Sequence, residues 1–339
     1  MRWLVHVLAV LLLSFHARAL PYDGQLVKKS EQDNPNGILA ANDDNFVNIN
    51  VDQSISANIG PFNEASNPGP DAPAHPHAQQ RRFGISYSPY NDDGTCRNQA
   101  QVDSDLDKLP HYAFVRIYGV DCDQTKKVVN AAHKRGMRVF AGVFDLQNFP
   151  ASLDPIIDAA HAHGDWSIFH TISVGNELVN RGHASPAQIV DAVHTARRRL
   201  RAAGYHGPVV TVDTFDRLIG HPELCHASDY CAANCHAFFD STQSADGAGA
   251  YVRNQAHRVS AAAGGKRTVI TETGWPHQGQ ANGQAVPSVA NQHRALTGVS
   301  LAFHERPGDL VMFSSFDDKW KQDGPGTFGA EKFWGIHHR

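Results

Sequence analysis

The sequence predicts an α/β fold, an eight-stranded (β/α)8 barrel over residues 83–339. Three observations carry this. Eight short apolar runs recur along that stretch, amphipathic helical segments fill most of the gaps between them, and the stretch is close to the roughly 250 residues that such barrels need. The runs are Phe83–Tyr87, Phe114–Tyr118, Val139–Val143, Thr171–Glu177, Val209–Asp213, Tyr230–His236, Thr268–Glu272 and Leu310–Phe316. Each is short and mostly apolar, as expected of a strand in an α/β fold.

The clearest helix begins at Ser185. Pro186 stands at its first helical position and Gln188 completes a capping box. Ile189, Val193, Ala196 and Leu200 then fall on one face, and Gly204 supplies a stop. An open doubly wound sheet is the rival fold, but no glycine-rich phosphate fingerprint follows the first strand, where Phe83-Gly84-Ile85-Ser86 reads simply as strand.

Composition bounds the rest. The chain has 339 residues, 41% hydrophobic and 19% charged, with a net charge of −4. That excludes a wholly disordered chain. It also argues against nucleic-acid binding, because no basic excess or stripe is present. The 21 histidines suit mildly acidic surroundings, where the rings gain charge. A multi-metal site would need tight ligand spacings that the sequence lacks.

Arg2, the apolar run Leu4–Phe15 and the small-x-small triplet Ala17-Arg18-Ala19 read as a signal peptide over residues 1–19. The run is too short to span a bilayer of about 30 Å. No second spanning segment follows, and the C-terminal sequence has no hydrophobic tail for a lipid anchor. The expectation is a secreted, extracellular or wall-located monomer that contacts neither membrane nor nucleic acid. Residues 20–82 are rich in Asn, Asp, Pro and Ala, with Pro68, Pro70, Pro73 and Pro76 opposing regular structure. They are expected to form a flexible, low-complexity N-terminal segment. Arg81-Arg82 at its end is either a dibasic processing site or a solvated pair at the domain edge. No Asn-x-Ser/Thr sequon occurs, so N-glycosylation is not expected.

Five cysteines fit an oxidising compartment and leave at least one thiol over. Cys96 and Cys122 each follow a predicted strand and are expected to pair. Cys231 and Cys235 would lie on one face of one strand, about 13 Å apart and too far to bond. Cys225–Cys231 is therefore preferred. A zinc site from these three with His236 would match no closed zinc spacing.

In a barrel, function sits at the C-terminal ends of the strands. Two of those ends carry a glutamate, in Ser173-Val174-Gly175-Asn176-Glu177 and Val269-Ile270-Thr271-Glu272. A glutamate in an apolar run is costly unless partnered or used. Two at one rim are the equipment of glycoside hydrolysis, where one carboxyl must stay protonated and the other ionised. Rim carboxylates that merely pair with arginine or cap helices would give the same pattern.

Five strings decide the matter: Val115-Arg116-Ile117-Tyr118-Gly119, Val174-Gly175-Asn176-Glu177, Asn234-Cys235-His236-Ala237-Phe238-Phe239, Ile270-Thr271-Glu272-Thr273-Gly274-Trp275-Pro276 and Phe316-Asp317-Asp318-Lys319-Trp320. In order, over residues 83–339, they resemble glycoside hydrolase family 17, and within it the fungal cell-wall β-1,3-glucanase-like proteins. The N-terminal extension departs from the Ser/Thr-rich or low-complexity type, being Asn/Pro-rich. The resemblance implies a retaining mechanism on β-1,3-glucan in wall remodelling, without cofactor or metal. Glu177 matches the acid/base, Glu272 the nucleophile, and Asn176 is placed to hold the sugar 2-hydroxyl. The two carboxyl groups are then expected about 5–5.5 Å apart. Arg116 is a candidate to keep Glu272 ionised, though an ordinary barrel-interior ion pair would look the same. His236 matches a position often held by Tyr in relatives and is a candidate hydrogen-bond partner of Glu272, or else a structural histidine. Tyr87, Tyr118, Phe238, Phe239, Trp275 and Trp320 are candidate aromatic walls for sugar rings. Asp317, like Asp318, is a candidate for binding hydroxyls or solvating the rim. Two alternatives share these residues: a glucanosyltransferase using the same glutamates, and a non-catalytic glucan-binding wall protein.

Overall fold

A computed structural model of the chain describes residues 83–339. The expected signal peptide, the segment 20–82 and the Arg81-Arg82 pair lie outside the described residues. Eight parallel strands close into a barrel in sequence order: β1 Gly84–Ser86, β2 Phe114–Arg116, β3 Arg138–Val143, β4 Phe169–Asn176, β5 Val209–Thr214, β6 Cys231–Asn234, β7 Thr268–Thr273 and β8 Leu310–Met312. Closure is made by β1 against β8, with Gly84 opposite Val311 and Ile85 opposite Met312. All eight predicted runs are strands. The first, second, sixth and eighth are shorter than predicted. Their last residues leave the ladder for the rim, where Ser315 N–H still reaches Ser86 O at 2.8 Å.

The helices alternate with the strands: α1 Gln99–Asp107, α2 Gln124–His133, α3 Asp154–His163, α4 Pro186–Ala202, the short pair α5 Phe215–Gly220 and α6 Pro222–Ala227, then α7 Ala248–Ala262 and α8 Val289–Ala302. Helix α4 starts as its sequence requires, with the Ser185 side chain accepting from Gln188 N–H and the Gln188 side chain accepting from Ser185 N–H at 2.8 Å. Among the described residues no helix follows β8. The tail returns instead, and Ile336 and His337 donate their N–H groups to Ser314 and Ser315 O, both at 2.9 Å.

Strand side chains alternate between two apolar layers. Val115, Val139, Ala141, Ile172, Val174 and Ile270 join the helix residues Leu106, Val128, Val193 and Val252 in one buried cluster. Phe114, Phe140, Val210, Val212, Ala232, Val269 and Val311 form the other, without helix residues, and fill the barrel interior. Above that fill the interior positions become polar, and this is where Arg116 and Asn234 stand.

The disulfides are Cys96–Cys122 and Cys225–Cys231, with Cys235 a buried free thiol. Two of the three clustered thiols are thereby consumed. Ser185→Ala removes the N-cap acceptor of α4 and is expected to cost about 1 kcal/mol in a urea melt, with an unchanged m-value.

Candidate active site

Strict alternation would aim one rim glutamate, Glu272, and the rim amide Asn176 the wrong way. Ile172 and Val174 face the helices, so Asn176 should too, and Ile270 on β7 would carry Glu272 with it. Irregularities at the strand ends undo this. Gly175 takes φ +81°, which favours glycine, and a Cβ there would sit 2.9 Å from Leu178 Cδ1. Glu177 itself takes φ +55°, sparsely populated for a non-glycine residue. The β4–β5 register shifts between Ser173 and Asn176, that of β6–β7 between Ala233 and Asn234, and that of β7–β8 between Ile270 and Thr273. Such bulges re-aim side chains next to sites. Here they turn Asn176 and Glu272 to the barrel axis, where Glu177 also stands. The glycine of Thr-Glu-Thr-Gly-Trp-Pro has a steric cause as well, because a Cβ on Gly274 would lie 1.9 Å from Phe313 O.

The side chains then meet around one guanidinium. Arg116, 1% exposed, donates from Nη1 to Glu272 Oε1 at 2.8 Å and to Thr271 O at 2.7 Å, and from Nη2 to Asn176 Oδ1 at 2.8 Å. Its Cζ lies 4.4 Å from the Tyr118 ring centroid. Asn234 accepts from Thr271 Oγ1 at 2.9 Å and donates from Nδ2 to Glu177 Oε1 at 2.9 Å. His236 Nε2 stands 3.4 Å from Glu272 Oε2, inside a box of Phe239, Phe313 and Trp334 rings. The Tyr118 hydroxyl donates to Ser86 Oγ at 3.0 Å.

This arrangement splits the two carboxyl groups. Burial, and then the charge of Glu272, push Glu177 up to about 7, against a weaker opposing pull from the Asn234 bond. Burial pushes Glu272 up too, but the Arg116 charge and the His236 bond outweigh it and bring Glu272 down to about 2. Around pH 5, one is a buried acid and the other a buried carboxylate. Lys321 adds a third charge. It is ion-paired to Asp318 at 3.4 Å and sits over the Phe313 ring. Burial would lower its proton affinity, but Asp318, Glu331 and Glu272 raise it above the ordinary value.

Of the predicted residues, Glu177, Glu272, Asn176, Arg116, His236 and Tyr118 are brought together. Trp320 is half-buried at the rim, 4.9 Å from the Tyr90 ring, and Phe239 is 40% exposed. Three expected walls are corrected. Tyr87 is buried, with its hydroxyl donating to Asp105. Phe238 is buried among Trp275, Phe328 and Trp334. Trp275 is buried and donates to Val286 O. None of the three has a face open to a ring. Asp317 accepts from Gly335 N–H at 2.9 Å and faces His277 Nε2 at 3.0 Å, pinning the returning tail. Asn234, Thr271, Phe313, Trp334 and Lys321 were not singled out from sequence as site residues. Only Asn234 carried a signal, a polar side chain closing the apolar run Cys231-Ala232-Ala233.

The two carboxyl groups also set opposite stability slopes. Glu177 holds its proton in the folded chain after the unfolded chain has lost it, so stability falls as pH rises from 4.5 to about 7. Glu272 stabilises above its ordinary value of 4.5, and that contribution is lost as pH falls towards about 2. Glu177→Gln is accordingly expected to be more stable than the parent by about 2 kcal/mol at pH 8, with the gap closing below the ordinary carboxyl range. Denaturant melts at the two pH values check this.

The model of the BtgE/BtgC glycoside hydrolase domain matches residues 84–335. The chain is 45% identical to a cell surface mannoprotein of Candida albicans over 75% of its own length and 66% of the relative's. It is 45% identical to a probable family 17 glucosidase of Saccharomyces cerevisiae over 75% of its length and 64% of the relative's. It thus spans just under two thirds of those relatives. Among solved structures it resembles a glycoside hydrolase family 17 β-1,3-glucanosyltransferase of Rhizomucor miehei, with TM-score 0.64 and 25% identity, covering 76% of this chain and 94% of that one. The closed barrel, the paired rim glutamates and these matches agree: the chain belongs to glycoside hydrolase family 17, in the group defined by the BtgE/BtgC glycoside hydrolase domain.

Proposed function

We propose that the protein is a retaining glycosidase acting on β-1,3-glucan, with Glu272 as nucleophile and Glu177 as acid/base. The observation that carries this reading is the unequal environment of the two buried carboxyl groups. Glu272 is held ionised by Arg116 and is aimed by two bonds, one to each oxygen. Glu177 accepts from Asn234 through Oε1, which leaves Oε2 to carry the acid proton.

In the first step, Glu272 attacks the anomeric carbon while the Glu177 proton passes to the leaving oxygen. The C–O bond to the leaving sugar breaks and an ester to Glu272 forms. Esterification removes the Glu272 charge, the second cause of the raised Glu177 proton affinity. Glu177 therefore becomes a weaker acid-holder and can act as base at the moment it must. Water, its proton taken by Glu177, then attacks the ester and Glu272 leaves. Asn176, its Oδ1 tied to Arg116, has its Nδ2 donors left for the sugar 2-hydroxyl. Phe239, Tyr118 and Trp320 offer ring faces at the rim.

A second reading keeps the first step and sends a glucan hydroxyl to the ester instead of water. The likeness to the Rhizomucor miehei glucanosyltransferase, whose active-site mutant was solved with laminaritriose, favours it. The N-terminal apolar run, the two disulfides and the cell-surface name of the Candida albicans relative support action outside the cell, at a fungal wall.

Incubating the protein with reduced laminari-oligosaccharides and resolving products by mass tests both readings. Shorter products mean hydrolysis, and longer ones mean transfer. Glu272→Gln should lower the rate by at least about 10³-fold, and the first-formed anomer should be β by NMR. A first-formed α anomer, or equal activity of the variant, overturns the assignment.

A further inference from the structure

Among the buried carboxylates that the mechanism leaves unused, Asp213 stands beside the turn that carries Glu177. Asp213, near the C-terminal end of β5, is 2% exposed. Its Oδ2 accepts from Val179 N–H at 3.0 Å, and its Oδ1 from Asn180 N–H at 3.2 Å and Thr214 N–H at 2.9 Å. Val179 and Asn180 belong to the turn that begins at Glu177. The same turn is gripped from the other side by Arg181. Its Nη2 donates to Asn176 O and its Nε to Glu177 O at 3.3 Å, and its guanidinium lies over the Phe144 ring. Glu177 N–H is fixed on Val212 O of β5 at 2.9 Å, one residue before Asp213. A left-handed glutamate persists only where its surroundings over-determine it, and these bonds are that surrounding.

We infer that Asp213 is the positioning residue of the acid/base: its carboxylate holds the turn that aims Glu177, and its charge acts on the Glu177 carboxyl. This rests on the assignment of Glu177 made above. The charged groups facing the pair are Glu272 and Arg181 around Glu177, and Asp216 on α5 beside Asp213. Burial, reduced by the three backbone N–H bonds, pushes Asp213 up to about 6. Its negative charge is among the causes that raise Glu177. A carboxylate suits the place because both its oxygens only accept. An amide of the same shape must set an NH2 against at least one of the three N–H groups.

The test is Asp213→Asn, with Glu177→Ala as its reference. The expected result for the folded Asp213→Asn variant is a kcat lowered by about 10- to 100-fold with KM changed less than about 2-fold. The basic limb of kcat/KM should move to lower pH, since a lost anion lets Glu177 ionise sooner. In the Glu177→Ala background on an aryl β-laminaribioside, azide displaces Glu272 from the ester, and adding Asp213→Asn should leave the azide-rescued rate unchanged. A purely structural Asp213 would lower stability and both rates alike without moving the basic limb, and that result overturns the inference. Should Asp213→Asn fail to fold, the carboxyl carbon of Glu177 in the unaltered protein decides by NMR. A second inflection from Asp213 supports the inference, and a single-step titration overturns it. Failure of the acid/base assignment reads differently, as a Glu177→Ala variant that stays active or that azide does not rescue.

Discussion

A cation sealed inside a barrel must be matched by charge and hydrogen bonds, or the fold does not tolerate it. Arg116 meets that demand with Glu272, the Thr271 carbonyl and Asn176, and much of the site follows from doing so. The guanidinium is planar and forked, so its partners cannot choose their places freely. Glu272 is fixed by one arm and Asn176 by the other, and the stacked Tyr118 ring fixes the plane. Strands β4 and β7 are thus referenced to a single side chain on β2.

That arrangement explains why the two glutamates differ although both are buried. Only Glu272 touches the guanidinium. Glu177 meets an amide, which offers hydrogen bonding without charge, and burial wins. The neutral partner of Glu177 is Asn234, whose oxygen is oriented by Thr271 and whose nitrogen is oriented by Glu177. Exchange of that amide for a carboxylate would set a negative charge against Glu177, so the neutrality of position 234 matters as much as its hydrogen bonds.

Much of this was legible in the sequence, for definite reasons. The strands could be found because buried parallel strands are mostly apolar, and α4 because Ser185, Pro186 and Gln188 mark its start. The glutamates stood out as charges closing apolar runs. What could not be read is where period two breaks. Nothing local distinguishes Glu272, which turns inward, from an alternating residue that would have faced the helices. The register shifts that turn it arise from neighbours on β6 and β8. The aromatics failed for a related reason. Tyr87, Phe238 and Trp275 follow strand ends as Phe239 does, yet burial differs between adjacent rings of one short turn. Trp334 was invisible because its partners lie far away in sequence.

The return of the tail after β8 has a consequence for when the protein becomes competent. Trp334 walls the ring of His236, and His236 faces Glu272, while Asp317 holds the backbone of Gly335. The pocket is therefore finished by residues that follow the last barrel strand. During synthesis all eight strands emerge before Trp334 does, so a nascent molecule can have its glutamates while still lacking the ring that walls His236.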